Sequence, residues 1–183
     1  APDIFAMFLQ GYVLFGRPLD RPDLSGRFWI RPLERAIIDR HSAHVPSRVR
    51  SYARNSGLIF RENIDGPAVL KLCQSDRSQG WLTDDVREVY ESGIPTGLTY
   101  TAGAYRDEVM VAGLFGVKIG SAFCLMSMNH SEDKAGSILM AWLVNRLSAG
   151  EWRLIDCSAL KPNFVRYGAF TVSADEFSDR LLA

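Results

Sequence analysis

Apolar and polar positions along this chain change period several times, and each change marks an element. Ile4, Phe5, Phe8 and Leu9 recur at helical spacing and stop at Gly11, which predicts a short amphipathic helix. The stretch from Gly16 to Gly26 is punctuated by Pro and Arg and reads as loop. Phe28 to Ile30 and Ala36 to Ile38 read as short strands interrupted by Pro32, which cannot donate to a ladder. Pro46 and Ser47 open a helix through Asn55, and Pro67 to Cys73 predicts another. Thr83 as N-cap, with Asp84 and Asp85 in the first turn, starts a helix through Tyr90. A turn at Ser92 to Thr96 leads into Leu98 to Tyr105, Glu108 to Val117 and Ser121 to Met128. These read as three antiparallel strands, reversing at Arg106-Asp107 and Ile119-Gly120.

Ala135 to Ser148 carries Ile138, Leu139, Trp142, Leu143, Arg146 and Leu147 on one side of a helix, with Gly150 as its stop. Trp152 to Ser158 is a nearly continuous apolar strand. Val165 to Val172 reads as turn and strand, and Ala174 to Leu182 as a last helix. A meander, a helix, a central strand, then a further strand and helix predict an α+β fold with a mixed sheet flanked by helices.

At 183 residues and 47% hydrophobic content, the chain is long enough for one sizeable core. Formal charge is zero, yet residues 1–61 carry ten Arg against Asp3, Asp20, Asp23, Glu34 and Asp39, leaving the remainder acidic. The sign change near residue 62 divides the chain into a small Arg-rich N-terminal lobe, 1–61, and a larger domain, 62–183. Every cation in the first part is Arg, whose planar fork suits phosphate. Either a polyanion surface or pairing with the acidic remainder accounts for that bias. Cys73, Cys124 and Cys157 lie in apolar or strand-like contexts, which fits core residues in a reducing compartment. No run reaches the ~18 apolar residues of a membrane span. Residues 4–15 lack a basic leader and a small-residue cleavage site, so the expected location is cytoplasmic, with the start at Ala1 fitting a trimmed N-terminus.

Three blocks stand out: Phe123-Cys124 with Ser127-Met128 and Leu154-Ile155-Asp156-Cys157; Cys73-x-x-Asp76-Arg77-x-x-x-Trp81-Leu82-Thr83; and Trp29-x-x-Pro32-x-x-Arg35-Ala36. In this order they resemble the leucyl/phenylalanyl-tRNA-protein transferase family over roughly residues 5–182. The resemblance implies an acetyltransferase-like fold, an aminoacyl-tRNA acceptor end as donor, and the amine of a protein N-terminus or small molecule as acceptor. It implies no cofactor. The turn Ser131-Glu132-Asp133-Lys134-Ala135-Gly136 places two acids where an acetyltransferase holds a diphosphate, which disfavours an acyl-CoA donor.

By the same resemblance, Leu114, Phe123, Leu147 and Ile155 map onto the pocket for the transferred side chain; ordinary core lining is the other reading of four apolar residues. Arg48, Arg50 and Arg54 match a basic helix laid on the tRNA acceptor stem, with Arg50 and Arg54 four apart on one face. Where the family stacks adenine on a tryptophan, this chain has Ile30, with Trp29 adjacent. The family's Gly-Glu is Leu125-Met126, its glutamine after Asp-Cys is Ser158, and its His-Ser-x-Glu is Thr96-Gly97-Leu98-Thr99. Asp156 is retained, and a buried aspartate in an apolar strand serves either catalysis or a structural hydrogen bond. Asp156 and Ser158 are the catalytic candidates, two apart on one strand face. Substrate-binding candidates are Trp29, Leu114, Phe123, Met126, Leu147 and Ile155. His130, at a strand end, is either functional or a turn residue. His41 and His44 have no spacing partners for a metal. The chain is therefore expected to be an aminoacyltransferase acting on an apolar amino acid, the alternative being a silent tRNA- or protein-binding homologue that keeps only the fold.

Overall fold

A computed structural model describes residues 4–17, 21, 23–75 and 80–182; Asp76 and Arg77 of the second motif block lie outside these, as do 18–20 and 22 of the expected loop. The N-terminal third forms α1 (Ile4–Leu9), β1 (Val13–Phe15), β2 (Phe28–Ile30), β3 (Glu34–Asp39), α2 (Ser47–Arg54) and β4 (Ile59–Glu62). The middle forms α3 (Gly66–Gln74), α4 (Asp84–Ser92), β5 (Thr99–Arg106), β6 (Val109–Ile119) and β7 (Ala122–His130). α5 (Ala135–Ala149), β8 (Leu154–Ser158), α6 (Pro162–Val165), β9 (Phe170–Ser173) and α7 (Ala174–Leu182) complete it.

Seven strands share one sheet in the order β4-β5-β6-β7-β8-β3-β9, and β1 pairs with β2 in a small second sheet. All pairs in the large sheet are antiparallel except β7 with β8. Side chains alternate between faces along each strand. On β6, Leu114 joins the core packed under α2 and α5, while Phe115 and Val117 join the core under α1, α3, α4 and α7. The result is an α/β/α sandwich in which both faces are covered, so strands such as β5 and β8 are apolar almost throughout.

The meander runs as its sequence period predicts. Its first reversal sits at Asp107 and Glu108, both with positive φ (47° and 65°), a geometry that matches the twist of a tight hairpin. α5 ends where expected, at Gly150 in the left-handed conformation (φ 92°). Thr83 occupies the N-cap position of α4, but its hydroxyl donates to the Asp85 carboxylate instead of capping a helix N–H. β1, β4 and α6 are additional to the predicted elements. Charge did not foreshadow the role of the N-terminal segment in the sheet: β3 lies inside it, between β8 and β9, so residues 34–39 pair on either edge with strands from beyond residue 62.

Candidate functional site

Among the described residues β7 and β8 are the only parallel neighbours, and their ladder is short: Ala122, Phe123 and Cys124 pair with Leu154, Ile155 and Asp156. β7 continues beside β6 as far as His130, while β8 turns to β3 alone. The sheet therefore has a closed end, where the two strands are paired, and an open end, where they part.

Two irregularities mark the open end. On β7, Phe115 pairs with Ser127 and Gly116 with Leu125, leaving Met126 as the extra residue of a bulge. On β8, Ile37 pairs with Asp156 and Ala36 with Ser158, so Cys157 is extra. Ser158 adopts φ 64°, a conformation that serine takes only when something holds it there. That something is Asp156, whose Oδ1 accepts the Ser158 N–H at 2.8 Å. The same carboxylate is gripped by Arg35: Nε donates to Oδ1 at 3.1 Å and a terminal nitrogen to Oδ2. Both side chains are almost wholly buried. Burial by itself lowers the Arg35 pKa, but the charge and hydrogen bonds of Asp156 outweigh it and leave the guanidinium above its ordinary value.

The four residues mapped to the side-chain pocket, Leu114, Phe123, Leu147 and Ile155, are 0% exposed and belong to one core cluster. Here the expected pocket is a filled core, because Tyr100, Phe123 and Trp152 pack ring against ring at 5.2–5.4 Å between centroids. Trp29 stands on β2, half-buried, edge-on to Phe8 at 5.4 Å. Met126 is half-buried against the opposite core.

Open space lies beyond the end of β7. A cleft of about 430 Å³ is lined by Pro46, Arg48, Val49, Tyr52, His130, Asp133, Lys134, Ser137 and Arg166. Arg48 arrives from α2, Lys134 from the turn before α5, and Arg166 from the end of α6. Tyr52 lies between two cations: Arg48 Nε donates to its hydroxyl at 2.6 Å and Lys134 Nζ sits 4.6 Å from its ring centre. Arg166 donates to Ser137 Oγ at 2.8 Å. His130 packs on the first turn of α5, where a Cβ on Gly136 would approach its ring at 2.8 Å. Of the two acids in the turn before α5, Glu132 points away into a bidentate pair with Arg106 at 2.6 and 2.8 Å, which holds it below the usual carboxylate range; Asp133 pairs with Lys134 at 3.5 Å.

The structure thus joins Arg48 to residues that sequence spacing did not link to it. Arg50 and Arg54 are exposed on α2, outside the lining of this cleft. Among the described residues, none of Arg48, Arg50 and Arg54 is paired with a carboxylate. Tyr52 was detectable at four residues from Arg48; Lys134 and Arg166 gave no signal, since only folding brings them near. Among the described residues no helix is long and apolar enough to cross a membrane, and no group of three or more His, Cys, Asp or Glu is placed to hold a metal.

Comparison with known proteins bears on this arrangement. The model of the Leucyl/phenylalanyl-tRNA protein transferase family matches residues 37–182, a span that holds the whole meander, α5, β8 and most of the cleft. The chain belongs to this family. Curated relatives named leucyl/phenylalanyl-tRNA–protein transferase include one from Hahella chejuensis, 32% identical over 152 residues (81% of this chain, 65% of that protein), and one from Vibrio campbellii, 28% identical over 157 residues (85% and 66%). Another, from Prosthecochloris aestuarii, is 27% identical over 182 residues, covering 98% of this chain and 92% of its own. The chain thus spans just under two thirds of the Hahella and Vibrio relatives. Among solved structures, FemX superposes with a TM-score of 0.59 at 10% identity, covering 91% of this chain and 65% of FemX. That likeness concerns the fold, and the mixed sheet with flanking helices is of the acetyltransferase-like type expected from the sequence.

Proposed function

We propose that this family member transfers an apolar amino acid from the 3′ end of an aminoacyl-tRNA to an amine, that of a protein N-terminus or a small molecule, in the cytoplasm. The observation that carries the reading is the cleft beyond β7, where Arg48, Lys134, Arg166 and the Tyr52 ring face open space. The Arg48 and Arg166 guanidinium groups, which have no carboxylate partner among the described residues, suit phosphate oxygens, and a ring flanked by cations offers a surface on which a base can stack. Arg50 and Arg54, on the exposed side of α2, extend the basic surface for a longer stretch of the acceptor stem.

The reaction needs no cofactor. The acceptor nitrogen attacks the ester carbonyl carbon, the carbon–oxygen bond to the terminal ribose breaks, and the ribose oxygen leaves with a proton from the amine. Positioning accounts for most of such a rate enhancement, because the ester is already activated. In this reading the ester lies between the parted ends of β7 and β8, near Met126 and Ser158, with the Ser158 hydroxyl orienting the amine. Its side chain points toward Leu114, Phe123, Leu147 and Ile155. Seating it requires the Tyr100, Phe123 and Trp152 rings to shift, and an apolar side chain is the kind such a floor accepts. Met126 offers no charge to the amine, so the acceptor is selected by groups outside the bulge.

The test is single-turnover transfer from tRNA charged with radiolabelled leucine or phenylalanine to a peptide amine. Product formation by the native protein, with an affinity that falls steeply as salt rises, is the expected result. No amide product and no retention of tRNA at low salt would overturn the reading; retention without product would leave the binding-only alternative.

A further inference from the structure

We infer that Arg35 is a positioning residue, and that Asp156 works through it as a paired strut fixing the end of β8, not as a proton acceptor. The inference rests on the aminoacyl-transfer reading for its kinetic consequences, but the strut itself is a matter of geometry. Each guanidinium nitrogen of Arg35 is engaged: Nε and one terminal nitrogen on the two oxygens of Asp156, the other terminal nitrogen on the Gly11 carbonyl at 3.0 Å. The face of the guanidinium lies 4.4 Å from the Phe177 ring centre. Asp156 in turn has both oxygens occupied, Oδ1 twice, since it also receives the Ser158 N–H.

Three consequences follow from burial. Arg35 is 2% and Asp156 1% exposed, so replacing the carboxylate by a neutral group would strand a buried guanidinium without its counter-charge, a costly state. A general base must present a reachable lone pair to its substrate, and this carboxylate is 1% exposed and already accepts three bonds, two from Arg35 and one from the backbone. Finally, the left-handed Ser158 depends on the Asp156 bond: an aspartate side chain accepting the N–H two residues on is the local device that holds such a turn. Because Gly11 follows α1 and Phe177 belongs to α7, Arg35 also ties both chain ends to the floor of the open end. A separation of 121 positions between Arg35 and Asp156 hid this link from sequence reading.

The experiment uses the full chain, aminoacyl-tRNA and a peptide amine, with kcat, KM and the pH profile measured for Asp156→Asn, Arg35→Lys and the double variant Arg35→Met with Asp156→Asn. Asp156→Asn keeps an acceptor for the Ser158 N–H but leaves Arg35 unpaired; kcat is expected to fall about 100-fold, as for a group displaced by about 1 Å, with KM and the shape of the pH profile unchanged. Removing the stranded charge in the double variant should recover at least about tenfold of that loss. If Asp156 is the base, its substitution abolishes the rising limb of the pH profile and the double variant recovers nothing; either result overturns the inference. Should Asp156→Asn not fold, Arg35→Lys decides: kcat about tenfold down at constant KM supports the strut, and a native kcat sinks it. If the native protein transfers nothing, the function fails but the strut is still testable. Amide exchange at Ser158 should then be slow in the native protein and fast in Asp156→Ala, which removes the acceptor; fast exchange in the native protein, or slow exchange in both, would refute it.

Discussion

The two ends of the β7–β8 pair are built on opposite principles. At the closed end, Phe123 and Ile155 are fully buried, the rings of Tyr100, Phe123 and Trp152 interlock, and the backbone is regular. At the open end, three residues later on β7 and two later on β8, the strands are bulged, Ser158 is left-handed, and cations line empty space. One strand pair therefore supplies both rigidity and an opening. The closed end holds the parted ends at a fixed angle without itself facing the ligand in this conformation. Stability and function separate along the strands, and substitutions at the two ends should report different quantities.

The largest effect is expected at the closed end. Phe123→Ala removes a ring packed against Tyr100 and Trp152 and should lower stability by about 3–5 kcal/mol in denaturant unfolding. A loss below about 1 kcal/mol would mean that this core is loose, and that the pocket expected there is closer to open than its burial indicates.

Next in size is a charged network capping the closed end. Glu62 accepts from the Tyr100 hydroxyl at 2.6 Å and pairs with Arg146, which also pairs with Glu151. Burial pushes the Glu62 carboxyl upward, but the bonds from Arg146 and Tyr100 outweigh it and hold it below the usual carboxylate range. A carboxyl depressed on folding contributes stability that is present above its unfolded pKa and lost as pH falls through the folded one. Glu62 is 39% exposed and partly screened by solvent, so Glu62→Gln should cost no more than about 1 kcal/mol at pH 7 and almost nothing near pH 2, as read from the pH dependence of thermal unfolding. An equal cost at both pH values would assign the loss to packing.

How far the comparison could be read from the sequence depends on the distance over which each feature is encoded. The closed end was legible because it is written locally: alternation in β5 to β7, the continuous run of β8, and the period of α5 up to Gly150 all lie within one window of chain. Short edge elements such as β4, Ile59–Glu62, have too few residues for a period to stand out. The open end was only half legible. Asp156, Ser158 and Arg48 stood in motif blocks, whereas Lys134 and Arg166 become neighbours of Arg48 only through the packing of α2 on α5 and the return of α6. The apolar set Leu114, Phe123, Leu147 and Ile155 was identified as either pocket or core, and burial alone fills that choice with side chains for now.

At the open end, stability should hardly change while binding does. Arg48 is exposed and its partner is the Tyr52 hydroxyl, so Arg48→Ala should alter unfolding by less than about 0.5 kcal/mol. Its expected effect on tRNA is a weaker affinity, uniform over sequence, with the slope of log affinity against log salt reduced by about 1. Arg166→Ala should behave alike, and an unchanged salt slope for both would remove the cleft from the binding surface.

The smallest effect falls on the joint between the two ends, the first turn of α5. Gly136→Ala should gain up to about 1 kcal/mol from helix propensity alone. Its new Cβ, however, would stand 2.8 Å from the His130 ring, which must swing away from the helix and toward the cleft. Because His130 is an exposed residue at the end of β7, that movement is inexpensive, and the two contributions should nearly cancel in the measured stability. The informative signal is therefore the His130 imidazole resonance, which should shift while the melting temperature stays within a degree or two. A full gain in stability with an unmoved resonance would show that the imidazole does not rest on α5, and that the wall of the cleft at this corner is formed by Ser137 and Lys134 instead.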